Sequence, residues 1–232
     1  MEAGLANFGD AEAAIRLLTK DNPGGFFLFV EECQPDKTGH GNDVAAVVQG
    51  VLELDRTAAM AYRFYQEHPD ETLLIVTADH ETGALQWLYS YDWTQAIATG
   101  DTPDGQVAPL DRLASVNRSL GAAAAGLDEQ LSPEEQARLR WRYRHFRFDP
   151  EIDRAVREGR DTLGNMGRDW KRVLTQLVAR NTGAYYTSGG HSQAAVPFFA
   201  IGVGAERFRG HTDNAEVGRE LFRLGGRQDF RQ

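Results

Sequence analysis

Histidine and carboxylate side chains gather at two places in this sequence. Glu31, Asp36 and His40 follow the apolar run Phe26-Phe27-Leu28-Phe29-Val30. Asp79 and His80 follow a second one, Thr72-Leu73-Leu74-Ile75-Val76-Thr77. Oxygen and imidazole nitrogen donors without a thiolate suit zinc, manganese or magnesium. One Asp and one His after a strand serve as readily as a turn residue and a helix cap. Two such sets favour a metal centre if the fold brings them to one sheet edge, because ligands in open α/β sheets bind beyond the carboxyl ends of the strands.

The intervening pattern supplies such a fold. Residues 26–30 and 72–77 are continuous apolar runs, the signature of strands buried on both faces. Between them Val44, Val47, Val48, Val51, Leu52, Ala58, Ala59 and Tyr62 recur at helical spacing, which predicts a helix over about 42–67 ended by Pro69. Strand, helix, strand is a βαβ unit, so an α/β fold with a mainly parallel sheet flanked by helices is expected. Parallel strands put both acidic loops at one edge. A short amphipathic helix over 10–21, with Asp10 as N-cap, precedes them, and residues 84–91 suggest a further strand. The stretch from about 92 to 182 reads as a helical insertion: a Gly/Pro/Asp-rich loop at 100–109, then helices over 111–125, 132–147, 149–159 and 165–181. Ser132-Pro133-Glu134-Glu135 is a helix start with N-cap, N1 proline and N3 glutamate, Asp149-Pro150 opens another, and Gly183 is a C′ stop. Strand pattern returns at 196–202.

Composition excludes several classes. The chain has 232 residues, long enough for a sizeable core, with 41% hydrophobic and 25% charged residues. A net charge of −9 argues against a nucleic-acid partner, whose electrostatic footprint is basic. The one cysteine, Cys33, rules out an internal disulfide framework and a CxxC zinc site. No apolar run approaches the roughly 18–20 residues of a membrane span. The first residues lack the basic start and apolar stretch of a signal peptide.

Three motifs carry a resemblance. Val30-Glu31-x-x-Gln34-x-Asp36-x-x-Gly39-His40-x-Asn42-Asp43 and Thr77-Ala78-Asp79-His80-Glu81-Thr82-Gly83 resemble the metal-binding motifs of alkaline phosphatases, especially bacterial ones. Gly190-His191-Ser192, with Val196-Pro197-x-Phe199-Ala200 after it, resembles the last histidine motif of that family. The match covers about 10–90 and 184–217. It implies an alkaline-phosphatase-like fold and a phosphomonoester substrate. It also implies two zinc ions, the first held by Asp36, His40 and His191 and the second by Asp79 and His80 among others. Glu31 resembles the carboxylate of a nearby magnesium site. Paired metal ions roughly 3.5–4 Å apart clamp the attacking and leaving oxygens of an in-line displacement. Asp36 and His40 are expected to span a tight loop leading into the long helix.

The sequence also departs from the family. Glu32 and Cys33 stand where small residues are usual, and Pro35 replaces an apolar one. The nucleophilic Ser or Thr, a shared aspartate and the substrate-binding arginine belong to an N-terminal half of the family that these residues do not match. The expectation is therefore that residues 1–232 are the C-terminal, metal-binding part of an α/β domain that is incomplete alone. Its partner would be the missing N-terminal half or a second copy. A non-catalytic metal-binding remnant, one part of a split enzyme, and a related phosphodiesterase or phosphonate hydrolase are the competing readings. A periplasmic or secreted location follows from family habit.

Other candidates have plainer accounts. His68 closes a helix before Pro69, His145 lies among arginines, and His211 falls beyond the third motif. The run 138–148 interleaves basic and aromatic residues, but Leu139, Tyr143 and Phe146 share one helical face, so an amphipathic helix with a basic outer side is expected. Cys33 reads as a small buried residue rather than a ligand.

Overall fold

The structure, a computed structural model, describes residues 8–87, 109–159 and 169–226. The loop expected at 100–109 up to residue 108, the strand expected at 84–91 beyond residue 87, and residues 165–168 lie outside them. The elements in chain order are α1 (Phe8–Thr19), α2 (Gln34–His40), α3 (Val44–Glu67), β1 (Leu73–Thr77), β2 (Leu85–Trp87), α4 (Pro109–Ala114), α5 (Leu120–Ala124), α6 (Pro133–Arg142), α7 (Pro150–Glu158), α8 (Trp170–Thr182), β3 (Ala184–Tyr186), β4 (Phe198–Gly202), a 3-10 turn (Ala205–Phe208) and α9 (Asn214–Leu224). They divide into two compact units, one of Cys33–Gly50 and Thr82–Ser192 and the other within Met1–Glu32, Val51–Glu81 and Gln193–Gln232.

The first unit is mostly helical. Its core is built on α8, whose Val173, Leu174, Leu177 and Val178 are buried with Ile152, Ala155 and Val156 of α7, Leu120 and Ala123 of α5, and Val44 and Ala45 from the start of α3. Local chemistry sets where these helices begin and end. Ser132 and Glu135 form a reciprocal capping box with Pro133 in the first turn of α6. The Asp149 side chain accepts from the N–H groups of Glu151 and Ile152, both at 3.0 Å, at the start of α7. Gly183 ends α8 in the left-handed conformation. Leu139, Tyr143 and Phe146 are buried while Trp141 faces solvent under Arg144, so the basic-aromatic run is an amphipathic helix and the turn after it. β2 and β3 pair antiparallel, Gln86 opposite Tyr185.

The second unit contains α1, residues 51–67 of α3, β1, β4, the 3-10 turn and α9. α1 starts at Phe8, two residues ahead of the expected N-cap Asp10. β1 and β4 pair antiparallel with Ile75 opposite Ala200. The α/β character is therefore as expected, but both ladders among the described residues are antiparallel where a mainly parallel sheet was expected. The second correction concerns residues 26–30. They form no strand, Phe26 packs on Phe64, and Phe27 and Phe29 are 75% and 72% exposed. An apolar run fixes burial preference and says nothing about which strand answers it. On β4, Phe199 is 64% exposed and Ile201 is also exposed; their ladder partners on β1 are Val76 and Leu74. This face of the two-stranded sheet is therefore apolar throughout.

Candidate metal centre

Asp36 and His40 lie on α2 itself and not on the tight loop expected for them. Pro35 stands in the first turn of the helix, where its missing N–H costs nothing. Its ring rests on Gly50 of α3, where an added Cβ would come within 2.8 Å of the Pro35 Cδ. Four residues of helix put the Asp36 and His40 side chains one turn apart on one face. His40 Nε2 is 3.4 Å from Asp36 Oδ1.

His191 arrives from the segment between β3 and β4. Its ring stands edge-on to that of His40, with centroids 4.9 Å apart. Ligand atoms of His191 and Asp36 lie within 4.8 Å of each other. The helical unit thus gathers one carboxylate and two imidazoles from segments about 150 residues apart in sequence.

Backbone bonds fasten this arrangement. Gly83 donates its N–H to the Gly190 carbonyl at 2.7 Å and accepts from the N–H groups of Thr187 and Ser188 at 3.2 Å. Gly83 has φ +87°, and a Cβ there would come within 2.5 Å of the Tyr186 ring, so glycine alone fits. With its amide turned to satisfy both neighbours, Asn42 donates to Gly39 O at 3.1 Å and Ser188 O at 2.8 Å, tying the end of α2 to the same loop. Thr82 donates its hydroxyl proton to Asp36 Oδ1 at 2.7 Å and lies 3.4 Å from His191 Nδ1.

The donor set fits a divalent cation. His40 Nδ1 is 2.6 Å from the Gly189 carbonyl oxygen. A carbonyl only accepts, so the ring carries its proton on Nδ1. In the neutral ring, Nε2 then presents a lone pair to a carboxylate oxygen 3.4 Å away. Two lone pairs facing each other repel, and a cation between them removes the repulsion. Nitrogen and oxygen donors without a thiolate are of the kind that divalent cations take.

Asp79, His80, Glu31 and His68 lie in the other unit. Asp79 and His80 follow β1 directly, with His80 Nε2 3.3 Å from Asp79 Oδ2 and both residues exposed. Glu31 is exposed in the segment before α2. His68 is 3.0 Å from Glu71 through Nδ1. Cys33 stands at the N-cap position of α2, 3.2 Å from Lys37 Nζ. The residues that position the donors, Asn42, Thr82, Gly83 and Gly189, had no separate signal. Three sit inside the matched motifs, where only their spacing was informative, and Gly189 acts through its carbonyl.

The family model described as alkaline phosphatase matches residues 5–226. Alkaline phosphatase 3 of Bacillus subtilis is 26% identical over 214 residues, covering 90% of this chain and 42% of the relative. The repressible alkaline phosphatase of Saccharomyces cerevisiae is 34% identical over 211 residues, covering 85% of this chain and 36% of the relative. The crystal structure of a cold-active alkaline phosphatase from a psychrophilic Shewanella species superposes with a TM-score of 0.72 at 24% identity, covering 94% of this chain and 49% of that one. A variant of TAB5 alkaline phosphatase described with magnesium bound gives 0.54 at 20% identity, covering 97% and 43%. The fold is thus shared with these structures. The chain spans about two-fifths of the length of the curated relatives. Among the described residues no helix is long and apolar enough to cross a membrane.

Proposed function

This chain belongs to the alkaline phosphatase family, and on that premise we propose that it is the metal-binding part of a phosphomonoester hydrolase whose nucleophile lies outside these residues. The observation that carries the reading is the meeting of Asp36, His40 and His191 in one unit, with the His40 Nε2 lone pair turned to the carboxylate. These three residues hold one zinc ion. Asp79 and His80 contribute to a second, and Glu31 to a magnesium site. When bound, zinc supplies Lewis acidity at a phosphoryl oxygen and lowers the pKa of water. The chain's own residues do the holding. Asp36 supplies the negative charge, and Gly189 keeps the His40 proton on Nδ1 and so leaves Nε2 for the ion. Work in the periplasm or outside the cell belongs to the same reading and rests on family habit.

The further length present in the relatives supports the missing nucleophile. It also gives the apolar face of β1 and β4, and exposed Phe27 and Phe29, something to pack against. That further length is the proposed occupant, and a second copy of this chain is the competing one. Exposed apolar faces of this kind mark association sites. Metal-binding by a chain without its own turnover is the outcome this reading requires.

The test assays the 232-residue chain on p-nitrophenyl phosphate in zinc and magnesium, and measures zinc retained after dialysis. Zinc retained by the wild type, released by His191→Ala, and no turnover above a host-protein control are expected. A kcat in the enzymatic range of roughly 1–1000 per second, abolished by His191→Ala, would overturn the assignment of the nucleophile elsewhere. Wild-type chain that retains no zinc would overturn the metal centre.

A further inference from the structure

We infer that Thr82 is a positioning residue that fixes the tautomer of His191 and the orientation of Asp36, so that both present ligand atoms to one divalent cation. The inference rests on the metal reading of Asp36, His40 and His191 for its purpose, and on hydrogen-bond chemistry for its content.

Thr82 lies against α2 at the one place where the helix has no side chain. A Cβ at Gly39 would come 3.2 Å from Thr82 Cγ2 and 3.3 Å from Thr82 Cβ, closer than an ordinary contact, so the threonine is seated by the glycine opposite it. From that seat the hydroxyl reaches Asp36 Oδ1 at 2.7 Å. A hydroxyl has one proton and two lone pairs. A carboxylate takes that proton in a charge-assisted bond. The same oxygen then faces His191 Nδ1, 3.4 Å away, as an acceptor. His191 therefore carries its proton on Nδ1 and keeps the lone pair on Nε2, because the bond made by one ring nitrogen decides the state of the other.

The two histidines reach one result by different means. At His40 a backbone carbonyl receives the Nδ1 proton at 2.6 Å. At His191 a side-chain hydroxyl does, and only while its own proton is engaged by Asp36. Thr82 thereby links the carboxylate ligand to the state of a histidine ligand. Partners of this outer kind are worth roughly 10–100-fold in metal affinity.

The experiment compares the wild-type chain, Thr82→Val, which keeps the shape and removes the hydroxyl, and Thr82→Ser, which restores it. Long-range proton–nitrogen correlation spectra of the metal-free chain, recorded where the rings are neutral, report each tautomer. Zinc competition against a chromophoric chelator reports affinity. His191 is expected as the Nδ1–H form in wild type and Thr82→Ser, and as an exchanging mixture in Thr82→Val. His40 stays Nδ1–H in all three, which shows that the loop is intact. Zinc affinity falls by about 10–100-fold in Thr82→Val and returns in Thr82→Ser. A wild-type His191 in the Nε2–H form would overturn the inference, as would Thr82→Val with unchanged tautomer and affinity. Failure of the wild type to bind zinc would overturn the metal reading and the affinity arm with it, while the spectra alone decide whether Thr82 sets the tautomer.

Discussion

Asp43 is a buried acid, 3% exposed, and it holds two helices at once. Its Oδ1 accepts from the Ala46 N–H at 3.1 Å in the first turn of α3, and its Oδ2 accepts from the Leu120 N–H at 2.5 Å at the start of α5. Its own N–H reaches back to the Thr38 carbonyl of α2 at 3.0 Å. Replacing it with alanine leaves the last bond in place and removes the other two. The loss at Ala46 is that of an N-cap, about 1 kcal/mol. The loss at Leu120 is larger. Leu120 is fully buried, its N–H is stranded without water, and a bond to a charged acceptor is worth about 1.5–3 kcal/mol. Asp43→Ala should therefore cost about 2.5–4 kcal/mol.

Urea unfolding of the chain, followed by circular dichroism and tryptophan fluorescence, measures this directly. For a domain of this size the same loss lowers the melting temperature by about 10 °C. Asp43→Asn keeps one acceptor oxygen and turns an amide N–H₂ toward the other donor, so it should fall between wild type and Asp43→Ala. An Asp43→Ala variant within about 1 kcal/mol of wild type would refute the assignment of the Leu120 N–H to this carboxylate, because no cheaper account of a stranded buried donor is available.

Two further predictions concern pH. Burial pushes the Tyr143 phenol up to about 12 from 10.0, with Arg142 and Arg118 opposing and Asp43 reinforcing. The fold therefore prefers the protonated phenol, so its contribution is whole below pH 10 and is lost as pH rises through 12; urea midpoints should drop there by the equivalent of about 2–3 kcal/mol and Tyr143→Phe should lack that component. Burial alone would raise the Asp149 carboxyl, but the Ile152 N–H, the Arg180 guanidinium and the Glu151 N–H together hold it below its ordinary value. That contribution is present above the unfolded value and lost as pH falls through the folded one, so Asp149→Ala should flatten the acid limb of the stability profile and lower stability at neutral pH, where a capping side chain is missing.

Helix starts and stops were legible where a local cap marks them, whereas the single helix expected over 111–125 is two, α4 and α5. Ser132, Pro133 and Glu135 form the capping box that their spacing describes, and Gly183 occupies the left-handed position expected of a C′ glycine. Leu139, Tyr143 and Phe146 are buried as their spacing implied, but the helix expected to 147 ends at Arg142, and the two aromatics lie in the turn after it. Strand pairing was not legible. Thr77 bonds the Pro197 carbonyl at 3.0 Å and β1 pairs with β4, a partner more than a hundred residues on, whereas the strand–helix–strand rule pointed to the nearer run at 26–30. Contacts of long sequence separation leave no trace in a local window. Asp36 and His40 were expected on a tight loop, yet proline in the first turn begins a helix, and the four-residue step from Asp36 to His40 is one helical turn.

The candidate site shows where substitution can act on a metal and where it cannot. His40 is set by the Gly189 carbonyl, which accepts whatever side chain stands nearby, and Gly189 lies 3.5 Å by a notional Cβ from the His40 carbonyl. His191 is set by a hydroxyl whose proton depends on Asp36. The first histidine is therefore insensitive to side-chain chemistry and changes only if the loop moves. The second changes with one oxygen atom. Gly83 and Asn42 hold the loop by bonds to its backbone, so their loss displaces both rings together. A substitution at 82 should then weaken one ligand with the other intact, and a substitution at 83 should loosen both. That difference separates control of a ligand's state from control of its place.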